Sequence, residues 1–262
     1  MHRTSPLIFV ETAQVAQITR PEASIPTLEN AVTEAPLDLD KLPDGIVSGN
    51  TLIDYSAASE RCRSGLSLAL AFANRTTRAE MRQGDDEDDW FAAYKSNLAR
   101  LGFNVSQGAF VKSAFKKRGL AVHQAIIPFL TAALGGAGVG PVIFALLQNL
   151  QKGDADKPWI TLFDQETRML NTREMHFAAV NSDNVESKMR HVAARLYFVD
   201  KETNVLFFRI NDTSADFESV TTTLSIDNGL LSTIEPALRD RLGTSALDFI
   251  KKAEVKNTEV NG

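Results

Sequence analysis

The feature that most constrains this sequence is a long tract in its middle without acidic or basic side chains other than histidine. Residues 119–151 contain no Asp, Glu, Lys or Arg, and His123 is the one titratable side chain among them. Charged residues make up 23% of the chain as a whole, so this tract needs a place away from water. It is either part of the hydrophobic core or a membrane-seeking helical hairpin that stays folded away until it meets lipid.

Within the tract, residues 121–134 and 141–150 predict two short apolar helices joined by the glycine-rich turn 135–140. Pro141 suits the first turn of the second helix. A helix needs about 20 apolar residues to cross a bilayer, and neither helix reaches that length. The tract is therefore not an ordinary transmembrane span, whereas a hairpin that inserts partly, or only within an oligomer, fits its length.

The residues of the hairpin that would contact a lipid surface or a protein partner are its large apolar side chains. Basic residues just before the tract would suit an anionic lipid surface beside it. The candidate contact residues are Ile126, Ile127, Phe129, Val142, Ile143, Phe144, Lys112, Lys116 and Lys117.

The order of the predicted elements indicates an α+β fold, because helices are followed by strands and then by helices again. In the first half, apolar residues predict a buried helix over residues 56–74 and an amphipathic helix over 90–101. The acidic run 85–89 lies at the positive end of the second helix, where carboxylates are favourable. Its spacing lacks the pattern of a calcium-binding loop.

The second half predicts an antiparallel meander of about five strands, each short and rich in β-branched or aromatic residues. These strands are residues 159–163, 174–180, 190–199, 204–210 and 220–226, and helices over 232–242 and 245–254 follow. We expect the meander to pack against the N-terminal and C-terminal helices, with the apolar hairpin in the centre.

Composition divides the chain into three parts. Residues 1–51 contain several prolines and no sustained hydrophobic period, which predicts an extended or flexible arm. Residues 52–255 predict one compact domain, and residues 256–262 predict a frayed tail.

No motif in the sequence identifies a reaction. The glycines at 136, 138 and 140 precede a proline and do not match the dinucleotide-binding fingerprint. The chain has neither a Walker-type Gly-Lys-Ser/Thr triplet nor a Gly-x-Ser-x-Gly nucleophile elbow. We therefore expect no cofactor and assign no catalytic residue.

The four histidines offer one metal hypothesis. No two of them have the i,i+4 spacing of a helical zinc site. His176 and His191 belong to predicted strands of the same meander and could meet, with Glu174 or Glu186 as a third ligand. Ordinary strand positions explain these residues as well, so we predict no metal.

Charge and cysteine content limit which binding partners and which cellular compartment fit this sequence. A net charge of −5 argues against nucleic acid binding. The single cysteine, Cys62, cannot form an internal disulfide. The apolar stretch 6–10 is too short for a Sec signal peptide. We expect synthesis in the cytoplasm, with release by another route left open, and a homo-oligomer is one way to use the N-terminal arm.

These features favour a non-catalytic, soluble interaction protein. Its more specific form is a membrane-active toxin- or effector-like protein that uses residues 119–151. Two alternatives stay open: a hydrolase-type enzyme whose active site has no motif, and a structural subunit of a larger assembly.

Overall fold

The computed structural model describes residues 5–16, 37–106, 108–113, 119–136, 138–169, 172–197, 203–210 and 216–254. In chain order the helices are α1 (Pro6–Thr12), α2 (Glu60–Glu80), α3 (Glu87–Arg100), α4 (Val122–Ala125), α5 (Ile127–Leu134), α6 (Pro141–Asn149), α7 (Pro158–Glu166), α8 (Asn228–Leu242) and α9 (Ala246–Phe249). The strands are β1 (Gly45–Ser48), β2 (Thr51–Ala57), β3 (Asn104–Val105), β4 (Val111–Ser113), β5 (Thr172–Ser182), β6 (Glu186–Tyr197), β7 (Asp216–Asp227) and β8 (Ile250–Lys252).

The fold is α+β, as the order of sequence elements predicted, with one sheet between two layers of helices. In the described part of the chain, eight strands form the sheet in the order β3-β7-β6-β5-β2-β1-β8, and β4 also pairs with β7. Their pairings are antiparallel except for β2 with β5, which is parallel. The predicted strands 174–180, 190–199 and 220–226 are the central strands β5, β6 and β7.

Three predicted elements of the second half differ in the structure. Residues 159–163 belong to helix α7, because Trp159, Ile160 and Phe163 are buried at helical spacing behind a proline. Residues 204–210 contain a 3₁₀ turn that the side chain of Asn204 caps. The predicted helix 245–254 ends at Phe249, where the chain continues as strand β8 beside β1. Short apolar runs fit either period, so pairing partners decided these cases.

The sheet is larger than the predicted five strands because residues 45–57 add the hairpin of β1 and β2, and the short strands β3, β4 and β8 also pair with it. Strand β1 and helix α1 both lie in the segment 1–51, and Phe9 and Val10 of α1 are buried in the core. Residues 17–36 of that segment, like the predicted tail 256–262, lie outside the described residues. The division into an arm and a compact domain stays a prediction.

One face of the sheet is covered by α1, α2, α3, α8 and α9. Helix α2 is buried over most of its length, and a Cβ on Gly65 would lie 2.9 Å from Leu231 Cγ, so glycine lets α2 and α8 approach closely. Helix α3 begins at a reciprocal capping pair, in which the carboxylates of Asp86 and Asp89 each accept a hydrogen bond from the other residue's backbone N–H. The acidic run thus starts a helix, as predicted.

Candidate functional site

The uncharged tract covers the other face of the sheet. We call helices α4, α5 and α6 the apolar layer. With α7 they form a hydrophobic core against Val47, Leu52, Met175 and Phe177 of the sheet. The exposed side of the layer is made of small or uncharged polar residues, namely Gln124, Pro128, Ala132, Pro141, Ala145, Gln148 and Asn149. In this conformation the sheet shields most large apolar side chains of the tract from water, whereas Val139, in the turn between α5 and α6, is 39% exposed.

The predicted contact residues of the hairpin divide into two groups. Ile126 and Ile143 have no exposed surface, and Phe144 is 5% exposed. Ile127, Phe129 and Val142 are partly buried and pack against the same core. All six are brought together in one layer, but they face the protein more than the solvent.

The predicted basic residues lie on the segment before the layer. Lys112, on strand β4, has a side chain that is 82% exposed and lies 3.8 Å from Glu218 Oε1. Lys116 and Lys117 lie outside the described residues. The part of the basic cluster that is described is therefore open to solvent.

Two side chains of the sheet anchor the apolar layer through hydrogen bonds. The carboxylate of Asp54 accepts from the backbone N–H of Val142 at 2.6 Å and from that of Ser56 at 2.8 Å. Arg190 donates from Nε to the carbonyl of Ala133 at 2.8 Å. The tract supplies no Asp, Glu, Lys or Arg to this interface, so apolar contact dominates the attachment.

A cleft of about 580 Å³ opens at the edge of the apolar layer. His123, whose Nδ1 lies 2.7 Å from the carbonyl oxygen of Leu206, lines it with Lys152, Arg209 and Phe207. Burial lowers the pKa of His123, and the hydrogen bond with the Leu206 carbonyl partly offsets this decrease. The cleft combines two permanent cations with an aromatic wall.

A second candidate site lies on the opposite face of the sheet, beneath α3. Here Glu174, His176, His191, Arg195 and Tyr94 form what we call the buried polar cluster; each is at most 1% exposed. The ring centroids of the two histidines are 4.7 Å apart. His176 Nε2 lies 2.8 Å from Glu174 Oε1, and Arg195 Nε donates to Glu174 Oε2 at 2.7 Å.

Strand register assembles this cluster. Glu174 and Arg195 are direct partners across β5 and β6, and His191 pairs with Ala178, two residues beyond His176 on β5. Side chains two residues apart on a strand share a face, so all four point toward α3. The sequence suggested that His176 and His191 meet beside Glu174, and the structure brings these three together. Glu186 instead pairs with Lys188 near the surface, at 3.0 Å.

Burial governs the electrostatics of the cluster. It lowers the pKa of His191 well below its usual value, and the neighbouring His176 lowers it further. Burial also lowers the pKa of Arg195, but Glu174 and Asp88 raise it more, so the net shift is upward. Burial raises the pKa of Tyr94, against a lowering effect of Thr51. At neutral pH the cluster therefore holds a neutral His191 beside an ion pair.

Several polar atoms around the histidines are buried without a hydrogen-bond partner, among them His176 Nδ1, His191 Nε2 and Trp90 Nε1. Such atoms are costly inside a protein. Among the described residues, no three His, Cys, Asp or Glu side chains are placed to hold a metal ion together. The arrangement can store and release protons, but a substrate cannot reach it while α3 is in place.

No protein-family model matches this chain, and no curated protein does. Within the described residues, no helix combines the length and apolar character needed to cross a membrane. A solved structure described as a delta-endotoxin is 14% identical, with a TM-score of 0.37, over 81% of this chain and 90% of its own. A second, of the Evf virulence factor, is 13% identical, with a TM-score of 0.31, over 81% of this chain and 85% of its own. Neither likeness is close enough to assign a role to this chain.

Proposed function

We propose that this protein is a membrane-active, toxin- or effector-like protein in which the apolar layer separates from the sheet and contacts lipid. The observation that carries this proposal is the layer itself. Its large side chains, including Ile126, Ile143 and Phe144, face the sheet, and the tract contains no Asp, Glu, Lys or Arg. Lifting the layer would present a continuous apolar surface without the cost of dehydrating such a charge.

The attachment of the layer supports a reversible separation. Apolar packing loses much of its advantage when a bilayer replaces water, because lipid tails are as apolar as the sheet face. The two side chains that anchor the layer, those of Asp54 and Arg190, belong to the sheet and bond to backbone atoms of the layer. Lys112 stands exposed on the strand before the layer, which favours an anionic lipid surface as the partner.

The enzyme alternative has less support from the geometry. The most chemically promising side chains, Glu174, His176 and His191, are enclosed beneath α3. A substrate would meet them only after α3 had moved. The alternative of a structural subunit in a larger assembly stays a prediction. Measuring the mass of the protein in solution would test it.

A reversible disulfide between layer and sheet tests the proposal. A Cβ atom on Gly140 would lie 3.5 Å from Ala179 Cβ on β5, within the range of a disulfide. The variant carries Gly140→Cys and Ala179→Cys, with Cys62→Ser to remove the native thiol. Dye release is measured from vesicles of phosphatidylcholine with phosphatidylglycerol, before and after reduction.

We expect the oxidised variant to release dye at least about tenfold more slowly than the reduced one, whose rate should approach that of the unmodified protein. Gly140 has φ +81°, so a side chain there is strained. The Gly140→Cys variant with Cys62→Ser but without the second cysteine controls for that strain. Equal rates in the oxidised and reduced states, or no release by any form, would overturn the proposal.

A further inference from the structure

Helix α3 covers the two buried histidines with its aromatic side chains. Trp90 and Tyr94 stack at 5.1 Å between ring centroids, and their rings lie 5.8 and 5.3 Å from that of His176. Phe91 is the third ring against His176, at 6.3 Å. The aromatic side chains of α3 therefore pack directly on the two histidines.

The first turn of α3 is tied to the same cluster by Arg195. Its guanidinium bonds to the Asp88 carboxylate and donates to the carbonyl of Glu87 at 2.5 Å, while its Nε holds Glu174. Arg195 therefore links the sheet to α3 and shares the Glu174 carboxylate with His176.

Glycines stand at both ends of α3. Gly84 has φ +103° with no atom within 4 Å of a Cβ built on it, and Gly102 has φ +99°. Both conformations are easy for glycine and strained for other residues. The chain can therefore turn at these two points, and once α3 leaves the sheet it loses the packing that stabilises a helix of this length.

Few charges surround the histidine pair, and the guanidinium of Arg195 is shared between the carboxylates of Glu174 and Asp88. On the sheet, Glu174 of β5 is paired with Arg195 of β6, and β2 and β7 contribute the hydroxyls of Thr51 and Thr222. From helix α3, the Tyr94 ring lies 5.3 Å from that of His176 and 6.3 Å from that of His191, and the Asp88 carboxylate bonds to Arg195. On α2 and α7, Arg78 and Glu166 pair with each other at 3.6 Å.

His176 Nε2 faces the Glu174 carboxylate at 2.8 Å, whereas His191 contacts the hydroxyl of Thr222 at 3.2 Å and its Nε2 has no hydrogen-bond partner among the described residues. A proton added to His191 therefore meets no hydrogen-bonding carboxylate in this part of the structure.

We propose that α3 is released by protons: in mildly acidic solution, protonation of His191, whose ring lies against that of His176, drives α3 away from the sheet about its glycine ends, exposing Trp90, Phe91 and Tyr94. The release stands on the buried polar cluster alone. It does not require the proposed membrane activity of the apolar layer on the opposite face.

The direction of the pH effect follows from linkage. While α3 is closed, the pKa of His191 lies well below 6.5, chiefly because of burial. In the open form the side chain meets water and regains its usual pKa. The open form then binds more protons, so each pH unit below 6.5 increases the ratio of open to closed protein by up to about tenfold.

The two tryptophans report on the two faces separately. Trp90 lies on the histidines, whereas Trp159 is in the other core, where its Nε1 donates to the carbonyl of Glu254. Trp159→Phe leaves Trp90 as the emitter, and Trp90→Phe leaves Trp159. Between pH 7.5 and 4.5 we expect the Trp90 emission to shift to longer wavelength while the Trp159 emission stays constant. A joint shift would mean global acid unfolding, and no Trp90 shift would mean that α3 stays closed; either result overturns the proposal.

A histidine variant identifies the proton acceptor. In the Trp159→Phe background, His191→Gln should move the Trp90 transition to lower pH or make it less steep. His123→Gln, on the opposite face, is the matched control and should leave it unchanged. The same transition in all three proteins would contradict the role of His191.

Hydrogen exchange of the unmodified chain makes the test independent of whether a variant folds. Protection of the backbone amides in 87–100 should fall by at least about tenfold between pH 7 and pH 5, after correction for intrinsic rates. Amides of β5 and β6 should keep their protection. Equal loss in α3 and in the strands, or no loss in α3, would contradict the release.

Discussion

Glu174 and Arg195 face each other directly across strands β5 and β6 and form an ion pair with no more than 1% of either side chain exposed. This ion pair connects the two strands to His176 and to helix α3, because Glu174 also contacts His176 and Arg195 also donates to the first turn of α3. A change at this pair therefore affects both the sheet and the helix above it.

Replacing Glu174 with Gln should lower the free energy of unfolding by about 3 kcal/mol, because it removes the buried carboxylate partner of Arg195 and leaves the exposed one of Asp88. Urea denaturation at pH 7 measures the loss. The matched control is Glu186→Gln, which removes the partner of Lys188 near the surface and should cost less than about 1 kcal/mol. Equal costs for the two variants would show that the buried pair adds nothing specific.

Asp54→Ala should loosen the apolar layer, because it removes the acceptor for the backbone N–H of Val142 at the start of α6. Leaving a partly buried donor unpaired costs about 1–3 kcal/mol, so the amides of α6 should exchange about five- to 150-fold faster. Asp183 likewise accepts from two backbone N–H groups, of Val185 and Glu186, but in the turn between β5 and β6. Asp183→Ala is therefore the control, and faster exchange of α6 in that variant too would refute a specific anchor.

Gly102→Ala should destabilise the protein more than Gly84→Ala. Both residues have positive φ, which costs about 1–2 kcal/mol for alanine. A Cβ on Gly102 would also overlap Leu230 Cδ2 and so force α8 or its side chain to shift, whereas Gly84 has open space around it. Thermal unfolding of the two variants separates the backbone cost from the packing cost. A larger loss for Gly84→Ala would contradict this account of the end of α3.

The sequence predicted the α+β class and the central strands because both depend on local patterns. The alternation of apolar and polar residues along 220–226 indicates a strand with two different faces, and the run of acidic residues at 85–89 indicates the start of a helix. The segment around Trp159 shows the limit of such patterns. A short apolar run is compatible with a strand or a helix, and only its packing beneath the sheet made it helix α7.

The candidate sites divide in the same way. Composition alone indicates that residues 119–151 require shelter from water, since a tract without Asp, Glu, Lys or Arg carries that property wherever it lies. The packing of distant segments makes one face of the sheet that shelter, and places Glu174, His176, His191 and Arg195 together on the other face. The reason is that hydrophobicity belongs to single residues, whereas which side chains become neighbours depends on the register between strands far apart in the chain.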